Sequence, residues 1–497
     1  MINTLRDLFQ ESVNRAPTSL FLADDHQQLT YEQAYRKACQ RASILLKNGA
    51  HPQDRVFILD EDPLETALWI LACNLAGAIF VVLHHTISVT RIQHLLQEVK
   101  PIGFIDYKKD HLWAYQSEQS LRFFIDTREI NDTELVERLT LPSDIIATDP
   151  AFLLYTSGST GKPKAVICPH RTALYVISSI NAFLPNGPQE RIGLFLSLSF
   201  VYGLYQIYLA MQVQAAVIFL GRFRHHLDLL QKLEAQRISA LPAVRSVLAS
   251  FARLSPDSCK VDSIKYISST GDYLPPSLIA KIVQRFPQSQ LFSMYGLSEG
   301  GRVLYMPPDR ITSKPDAVGQ PVPGTRAFIV NEKGDIVPEG TVGELVVEGP
   351  GVMGGYWEAP QETGETFTHG PYGQPRLRTG DIFFQDTEGD FHFVSRKQGM
   401  VKSGGFRIGV HEVEAAMLAA DSAIQECIVY AVEDDVLGQA LQADILVNDP
   451  SHTVREVFRR CREVMDPHMI PVKIQIVDVL PTVTSGGKYN RRQAKED

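Results

Sequence analysis

The segment of the sequence best suited to chemistry is LLYTSGSTGKPKAV (153–166), in which an apolar stretch leads into small hydroxyl residues and glycines. Glycines let backbone N–H groups approach a ligand closely, and serine and threonine add hydroxyl donors, so such a loop can wrap phosphate oxygens. It lacks the Walker A pattern, because Thr156 stands where that pattern needs its first glycine and Pro163 follows Lys162. A flexible Ser/Gly turn is the alternative. The residues predicted to contact phosphate are Thr156, Ser157, Gly158, Ser159, Thr160, Gly161 and Lys164.

A second segment, MYGLSEG (294–300), places an aromatic, a hydroxyl and an acid directly after the apolar run QLFSM. That order is expected at a strand end where a site opens. Tyr295 can lie against a purine face, Ser298 can donate to a phosphate, and Glu299 can hold the Mg²⁺ that neutralises a polyphosphate. A solvated loop carboxylate is the alternative for Glu299.

The loop TSGSTGKPK resembles the phosphate loop of the adenylate-forming superfamily, which includes acyl- and aryl-CoA synthetases, adenylation domains of nonribosomal peptide synthesis and luciferases. Similar segments follow in the expected order along almost the whole chain: LTYEQA (29–34), AGAIFVVL (76–83), STGDYLP (269–275), MYGLSEG (294–300), RTGD (378–381), SRKQGMVKSGGFRIGVHEVE (395–414) and LPTVTSGGKYNRR (480–492). The resemblance implies ATP and Mg²⁺ as cofactors and a reaction in two steps. A carboxylate attacks the α-phosphate of ATP to give an acyl-adenylate and pyrophosphate, and a thiol then takes the acyl group and releases AMP.

The resemblance implies that Ser298 and Glu299 are catalytic residues, with Glu299 as the metal ligand. It also implies further nucleotide ligands. Asp381 of RTGD matches the family's ribose ligand, and its two oxygens suit two vicinal hydroxyls; a turn aspartate is the alternative. Arg396 matches a family residue that contacts the nucleotide on its ribose or phosphate side; an interdomain salt bridge is the alternative. Gly271 and Asp272 of STGDYLP are also implied to contact the nucleotide.

Two C-terminal lysines are implied to serve different steps. Lys488, in a Gly-rich loop, would bring one cation to the carboxylate and the α-phosphate when a small domain closes. A solvated side chain is the alternative for Lys488. Lys402 would act in a second conformation that admits the thiol. Family members usually carry Asp or Lys two residues after the matching arginine, whereas this chain has Gln398, about which we expect the small domain to rotate.

Substrate choice is expected to depend on the middle of the chain. Amino-acid-activating members carry an Asp at the position of Val201, and CoA ligases often carry His at a site resembling Phe200. A buried ammonium without a counter-charge is costly, so an ordinary α-amino acid is disfavoured and an aryl, medium-chain or cyclic acid is favoured. Arg302 either pairs with a second acidic group of the substrate or faces solvent, and we favour solvent. The predicted pocket residues are Phe200, Val201, Tyr202, Tyr205, Val244, Ser268, Thr270, Met294, Arg302 and Val303.

The sequence pattern of helices and strands that must position these residues predicts an α/β fold. Helix-period stretches alternate with short β-branched runs, which is typical of layered α/β folds. Gly-rich, strand-like segments from about 318 to 395 indicate a β-rich subdomain, after which the α/β pattern returns. We therefore expect a large N-terminal α/β domain of several subdomains (1–395) and a small, mobile α+β lid domain (396–497).

Composition excludes several functional classes. The 497 residues are 44% hydrophobic, so the chain can bury a large core, and its net charge of −9 argues against a nucleic-acid partner. No run of about 18 uncharged apolar residues predicts a membrane span, and no leader peptide is evident. Six cysteines lack C-x-x-C spacing, so we expect a reducing cytoplasm. The doublets His84-His85 and His225-His226 are interpreted as loop residues without a metal role.

The predicted function is an AMP-forming acid–thiol ligase acting on a small carboxylic acid. GGFRIGVHEVE resembles a segment of peptide-synthetase adenylation domains and the chain shows no carrier domain, so we favour the phosphopantetheine thiol of a separate carrier protein as acceptor. Free CoA is the first alternative. A catalytically inactive nucleotide-binding protein is the second, and an adenylating oxygenase of luciferase type is the third.

Overall fold

The computed structural model describes residues 2–107, 120–130, 140–156, 164–221, 223, 225–255, 259–397, 400–403, 406–434, 438–449 and 451–480. The strands of these residues are β1 (Leu20–Ala23), β2 (Gln28–Thr30), β3 (Arg55–Asp60), β4 (Ile79–His84), β5 (Gly103–Asp106), β6 (Phe123–Asp126), β7 (Pro150–Thr156), β8 (Lys164–Pro169), β9 (Arg191–Leu194), β10 (Ala216–Phe219), β11 (Ala240–Ala243), β12 (Tyr266–Ser269), β13 (Gln290–Leu297), β14 (Gly301–Met306), β15 (Gln320–Pro321), β16 (Arg326–Val330), β17 (Gly343–Glu348), β18 (Phe367–His369), β19 (Pro375–Gln385), β20 (Phe391–Arg396), β21 (Met400–Ser403), β22 (Phe406–Gly409), β23 (Ile424–Asp434), β24 (Gly438–Val447) and β25 (Lys473–Ile476). The α-helices are α1 (Leu5–Arg15), α2 (Tyr31–Lys47), α3 (Pro63–Ala76), α4 (Val89–Val99), α5 (His170–Asn181), α6 (Val201–Val213), α7 (His226–Ala235), α8 (Arg245–Arg253), α9 (Pro276–Arg285), α10 (Pro360–Thr366), α11 (Val410–Ala420) and α12 (Val454–Val464).

Local sequence sets the boundaries of α3 and β4. Asp62 caps the helix by accepting a hydrogen bond from the backbone N–H of Glu65 at 3.1 Å, and Pro63 stands in the first turn, where its missing N–H loses no helical bond. Gly77 ends the helix with a φ of +74°, in the left-handed region that glycine adopts without a Cβ clash. The apolar segment is therefore a buried helix followed by a strand.

Two large sheets form the body of the fold. In the first, the strand order is β15-β14-β13-β12-β11-β9-β10-β1-β2. Its six central strands, β13, β12, β11, β9, β10 and β1, run parallel to one another. In the second, the order is β6-β5-β3-β4-β7-β8, parallel except for β8. Parallel strands bring their carboxyl ends to one edge, which is where α/β folds build ligand sites.

Two smaller sheets follow along the chain. Strands β16 to β20 form an antiparallel sheet in the predicted β-rich region, and β21 to β25 form a C-terminal sheet with α11 and α12 packed near it. Arg253 of α8 forms an ion pair with Glu426 of β23, so the C-terminal sheet contacts the large body. The predicted α/β class, with a large N-terminal part and a small C-terminal part, is confirmed. The boundary at 395/396 and the rotation of a lid domain stay predictions.

Two of the four histidines expected in loops lie in regular structure instead. His84 is the last residue of β4, with its ring centre 4.2 Å from that of His85, and His226 is the first residue of α7 and packs against Phe223. Among the described residues, no group of three or more histidine, cysteine or acidic side chains is placed to hold a metal ion. In the same part of the chain, each helix is too short or too polar to cross a membrane.

Acid should weaken the attachment of α1 through His170. The Nδ1 atom of this buried residue accepts a hydrogen bond from the backbone N–H of Leu5 at 3.2 Å, and burial lowers the pKa of His170 to about 4. A depressed histidine pKa stabilises the fold above its unfolded value of about 6.5, and this stabilisation is lost as the pH falls toward 4. We expect the free energy of unfolding to drop by about 2 kcal/mol between pH 7.5 and pH 5 from this group alone. Urea titrations of the wild type and of His170→Gln should show a smaller drop in the variant; equal drops would contradict the assignment.

Candidate active site

The predicted site residues converge at the carboxyl ends of β12 and β13. Strand β12 runs parallel to β13, pairing Ser268 with Phe292 and Ser269 with Ser293, so Thr270 and Met294 follow at the same edge. Strand β13 then turns back into β14 through Ser298 and Glu299. This hairpin therefore connects the predicted pocket residues to the predicted phosphate and metal ligands.

Asp381 lies inside β19, and the alternative of a turn aspartate is wrong. The carboxylate is buried; Oδ2 accepts a hydrogen bond from the Tyr295 hydroxyl at 2.6 Å, and the Arg396 Nε atom lies 3.5 Å from Oδ1. Arg396 is the cross-strand partner of Asp381 in β20, so the pair forms within one sheet. Burial and the neighbouring carboxylate hold the pKa of Tyr295 well above its usual range, so its hydroxyl remains a donor. The predicted ribose ligand is thus held in place by two other predicted ligands.

Glu299 is linked to the strand that leaves the phosphate loop. Its Oε1 atom accepts a hydrogen bond from the Tyr356 hydroxyl at 2.9 Å, and the Lys164 Nζ atom lies 5.0 Å from the centre of the Tyr356 ring. Such a position over the ring face is a cation–π contact. Sequence reasoning missed Tyr356, whose only signal is an aromatic residue after Gly354-Gly355. One tyrosine therefore holds a predicted metal ligand and a predicted phosphate ligand at once.

Arg302 is buried, with 8% of its surface exposed, so the favoured solvent-facing position is wrong. Its guanidinium carbon lies 4.7 Å from the centre of the Tyr202 ring. The Tyr202 hydroxyl donates to the Ser268 carbonyl at 2.6 Å, and burial raises the pKa of Tyr202 to about 12. Arginine is rarely buried without an acidic partner. The α6 helix, distant in sequence, supplies the aromatic face that covers it.

The remaining pocket candidates divide into two groups. Val201, at the start of α6, is half-buried. Phe200 occupies the N-cap position of that helix, and its ring centre lies 6.0 Å from that of His84. Val244 occupies the N-cap position of α8, and Met294 is buried in the same hydrophobic cluster as Tyr202 and Val244. By contrast, the Tyr205 hydroxyl meets Cys168 Sγ at 3.6 Å, inside the main core. Val303 is fully buried among residues of the β-rich sheet, such as Leu345 and Phe383, at the point where the register of the β13–β14 pairing shifts between Arg302 and Leu304.

Two of the predicted nucleotide ligands follow β12 in the chain. Gly271 has a φ of +96°, and the Asp272 carboxylate accepts a hydrogen bond from the backbone N–H of Tyr273 at 2.9 Å.

Several other predicted residues lie wholly or partly outside the described residues. Thr156 and Lys402 are described only as positions in β7 and β21, without their side chains. The residues outside the description are Ser157, Gly158, Ser159, Thr160, Gly161, Gln398 and Lys488.

Comparison with protein families gives two matches in chain order. The family described as AMP-binding enzyme matches residues 9–357, and the family described as AMP-binding enzyme C-terminal domain matches residues 412–488. Among curated proteins, tyrocidine synthase 1 of Brevibacillus parabrevis is 27% identical over 507 residues, covering 99% of this chain and 45% of that protein. Gramicidin S synthase 1 of Brevibacillus brevis is 26% identical over 503 residues, covering 99% of this chain and 44% of the relative. The chain thus spans less than half the length of these relatives.

Solved structures share the fold over almost their whole length. The o-succinylbenzoate CoA synthetase of Bacillus subtilis, in complex with its acyl-adenylate intermediate, superposes with a TM-score of 0.86 at 24% identity, covering 99% of this chain and 98% of that one. An anthranilate CoA ligase in complex with anthranoyl-AMP gives a TM-score of 0.88 at 21% identity, with coverage of 99% and 96%. These likenesses establish the two-part α/β fold.

Proposed function

The chain belongs to the AMP-binding enzyme family, and from that premise we propose that it is an AMP-forming acid–thiol ligase. In the first step, a carboxylate oxygen of the substrate attacks the α-phosphorus of ATP and pyrophosphate leaves. In the second, a thiol sulfur attacks the acyl carbon, the thiol proton is released and AMP leaves. The identity of the carboxylic acid, the identity of the thiol acceptor and the motion of the C-terminal domain are parts of this proposal.

The observation that carries the proposal is the placement of β13. Met294 is buried with the predicted acyl-pocket residues, whereas the next residue, Tyr295, donates its hydroxyl to Asp381. Adjacent positions on one strand therefore contact the predicted acyl side and the predicted ribose side. A carboxylate and an adenosine phosphate held on these two sides would meet at the β13–β14 turn, where Ser298 and Glu299 lie. Holding two reactants together removes much of the entropic barrier to their reaction.

The residues at the turn fit a magnesium ion. Glu299 offers a carboxylate whose Oε1 atom is already oriented by Tyr356, and Mg²⁺ commonly binds one or two protein carboxylates together with substrate phosphates. When bound, the ion would neutralise charge on the polyphosphate as it leaves. Lys164 would contribute positive charge on the same side, and Asp381 with Tyr295 would fix the ribose. Lys488 would place its ammonium between the attacking carboxylate and the α-phosphate.

The proposed acceptor is the phosphopantetheine thiol of a separate carrier protein. The peptide synthases among the curated relatives support a carrier, whereas the CoA synthetases among the solved structures keep free CoA as the alternative. Incubation of the enzyme with ATP, the activated acid and either acceptor distinguishes them. We expect faster thioester formation on a carrier protein than on CoA, with a dependence on salt that reflects an acidic carrier.

The test of the first step is carboxylate-dependent pyrophosphate release from Mg·ATP, across aryl, fatty, cyclic and dicarboxylic acids and the protein amino acids. We expect a response confined to acids without an α-ammonium group, because Val201 offers no counter-charge. A response to an amino acid would keep the enzyme class and overturn the pocket argument. ATP or AMP binding without pyrophosphate release from any acid would favour the catalytically inactive alternative.

A further inference from the structure

Arg302 carries a buried positive charge that no acidic side chain of the described residues compensates. The side chain is 8% exposed, and its Nε atom is buried without a hydrogen-bond partner in that part of the chain. Among the described residues, no acidic side chain forms an ion pair with it. Burial lowers the pKa of Arg302, yet a guanidinium stays protonated at physiological pH. The charge is therefore present and uncompensated within the described protein.

The neighbouring Tyr202 does not neutralise the charge of Arg302. The Tyr202 ring attracts the guanidinium through its face, but the Tyr202 hydroxyl is bound to Ser268 and remains a neutral phenol at physiological pH. Elsewhere the chain pairs a buried guanidinium directly with an acid, because Arg41 donates to both carboxylate oxygens of Glu65 at 2.7 and 2.6 Å. Arg302 departs from that arrangement, and a buried charge lacking a partner is expensive.

Two hydroxyls at the end of β12 have no partner among the described residues. Ser269, the last residue of β12, and Thr270, which follows it, are 1% and 3% exposed, and both hydroxyl oxygens are buried without a hydrogen-bond partner in that part of the chain. They follow Ser268, which binds the same Tyr202 that covers Arg302. Buried polar groups are normally satisfied, so an uncompensated guanidinium and unpaired hydroxyls, linked through Tyr202 and Ser268, indicate a place for an oxygen-rich anion.

We propose that Arg302 binds a second carboxylate of the acyl substrate, so that the activated acid is a dicarboxylic acid. This inference rests on the proposed function and names its substrate class. Arg302 is the second residue of β14 and pairs with Gly296 of β13, while Ser298 and Glu299 lie in the turn of the same hairpin. One carboxylate would then be activated near the turn, and the other would be held by Arg302, with Val201, Tyr202 and Met294 beside the connecting carbons. A guanidinium binds a carboxylate through two parallel hydrogen bonds, which gives both affinity and orientation.

The test compares free diacids with their monomethyl esters, which keep the shape and remove one charge. Glutarate, adipate and phthalate are assayed beside these esters by pyrophosphate release, with the wild type, Arg302→Met and Arg302→Lys. We expect wild-type kcat/KM to favour the diacid, and Arg302→Met to lose at least about 30-fold on the diacid but little on the ester. Arg302→Lys should recover part of the diacid activity. The control is Arg326→Met, which removes an exposed guanidinium from β16 and should leave the preference unchanged.

A second measurement separates this inference from the proposed function. The wild-type Tm is recorded with and without each diacid and ester, and we expect a rise with a diacid that Arg302→Met abolishes. Equal activity on diacid and ester, or an unchanged preference in Arg302→Met, overturns the role of Arg302 while the ligase proposal stands. If no acid releases pyrophosphate, the ligase proposal fails, and the Tm shifts alone decide whether Arg302 binds a dicarboxylate.

Discussion

Lys488→Ala should lower the rate of acyl-adenylate formation by about 10³-fold or more, while thioester formation from supplied acyl-adenylate stays close to the wild-type rate. In the first step, negative charge accumulates where the carboxylate meets the α-phosphate, and a cation placed there stabilises the transition state more than the ground state. In the second step, that bond already exists and a different lysine, Lys402, is predicted to contribute. The measurements are pyrophosphate release for the first step and AMP release from isolated acyl-adenylate plus thiol for the second.

A matched control for this prediction is Lys473→Ala, which removes an exposed lysine at the start of β25. It should leave both half-reactions unchanged. Lys488→Arg keeps the charge and should recover part of the adenylation rate. Comparable losses in both half-reactions of Lys488→Ala would refute the idea that the lid domain adopts separate conformations for the two steps.

Glu299→Gln is expected to lower adenylation by about 10²-fold to 10³-fold and to raise the Mg²⁺ concentration needed for half-maximal rate. The substitution keeps the shape of the side chain and an oxygen that can accept from Tyr356, but it removes the negative charge that binds the ion. The measurement is pyrophosphate release as a function of total Mg²⁺ at saturating ATP. Unchanged Mg²⁺ dependence would assign Glu299 a structural role.

Tyr356→Phe is the companion variant, because it removes only the hydroxyl that orients the Glu299 carboxylate and keeps the ring beneath Lys164. We expect a loss of about 10-fold, since partners that orient a metal ligand usually contribute less than the ligand itself. A loss as large as that of Glu299→Gln would mean that Tyr356 contacts the reacting groups directly.

Regular structure was largely predictable, because its signals are local. The α3 helix, the Gly77 break and β4 follow from a cap, a proline, a glycine and a run of buried apolar residues within one segment. Other predicted segments fall in strands with small shifts at their ends, such as GELVVEG, where β17 ends at Glu348. Asp381 was harder, because RTGD has turn residues and only the pairing of Asp381 with Arg396 of β20 places it in a strand.

The amino-acid sequence by itself determined the α/β class, the order of the motifs and the identity of the charged residues expected around the nucleotide, since these depend on residue type and short spacing. Only the tertiary structure decided which of them meet. Tyr356 reaches Glu299 across 57 positions, and Tyr202 covers Arg302 across 100, contacts that no local pattern encodes. The physical reason is that the burial of a charge depends on what packs over it: Tyr202 of α6 covers Arg302, whereas a register shift in the β13–β14 pairing places Val303 in the core beside the β-rich sheet.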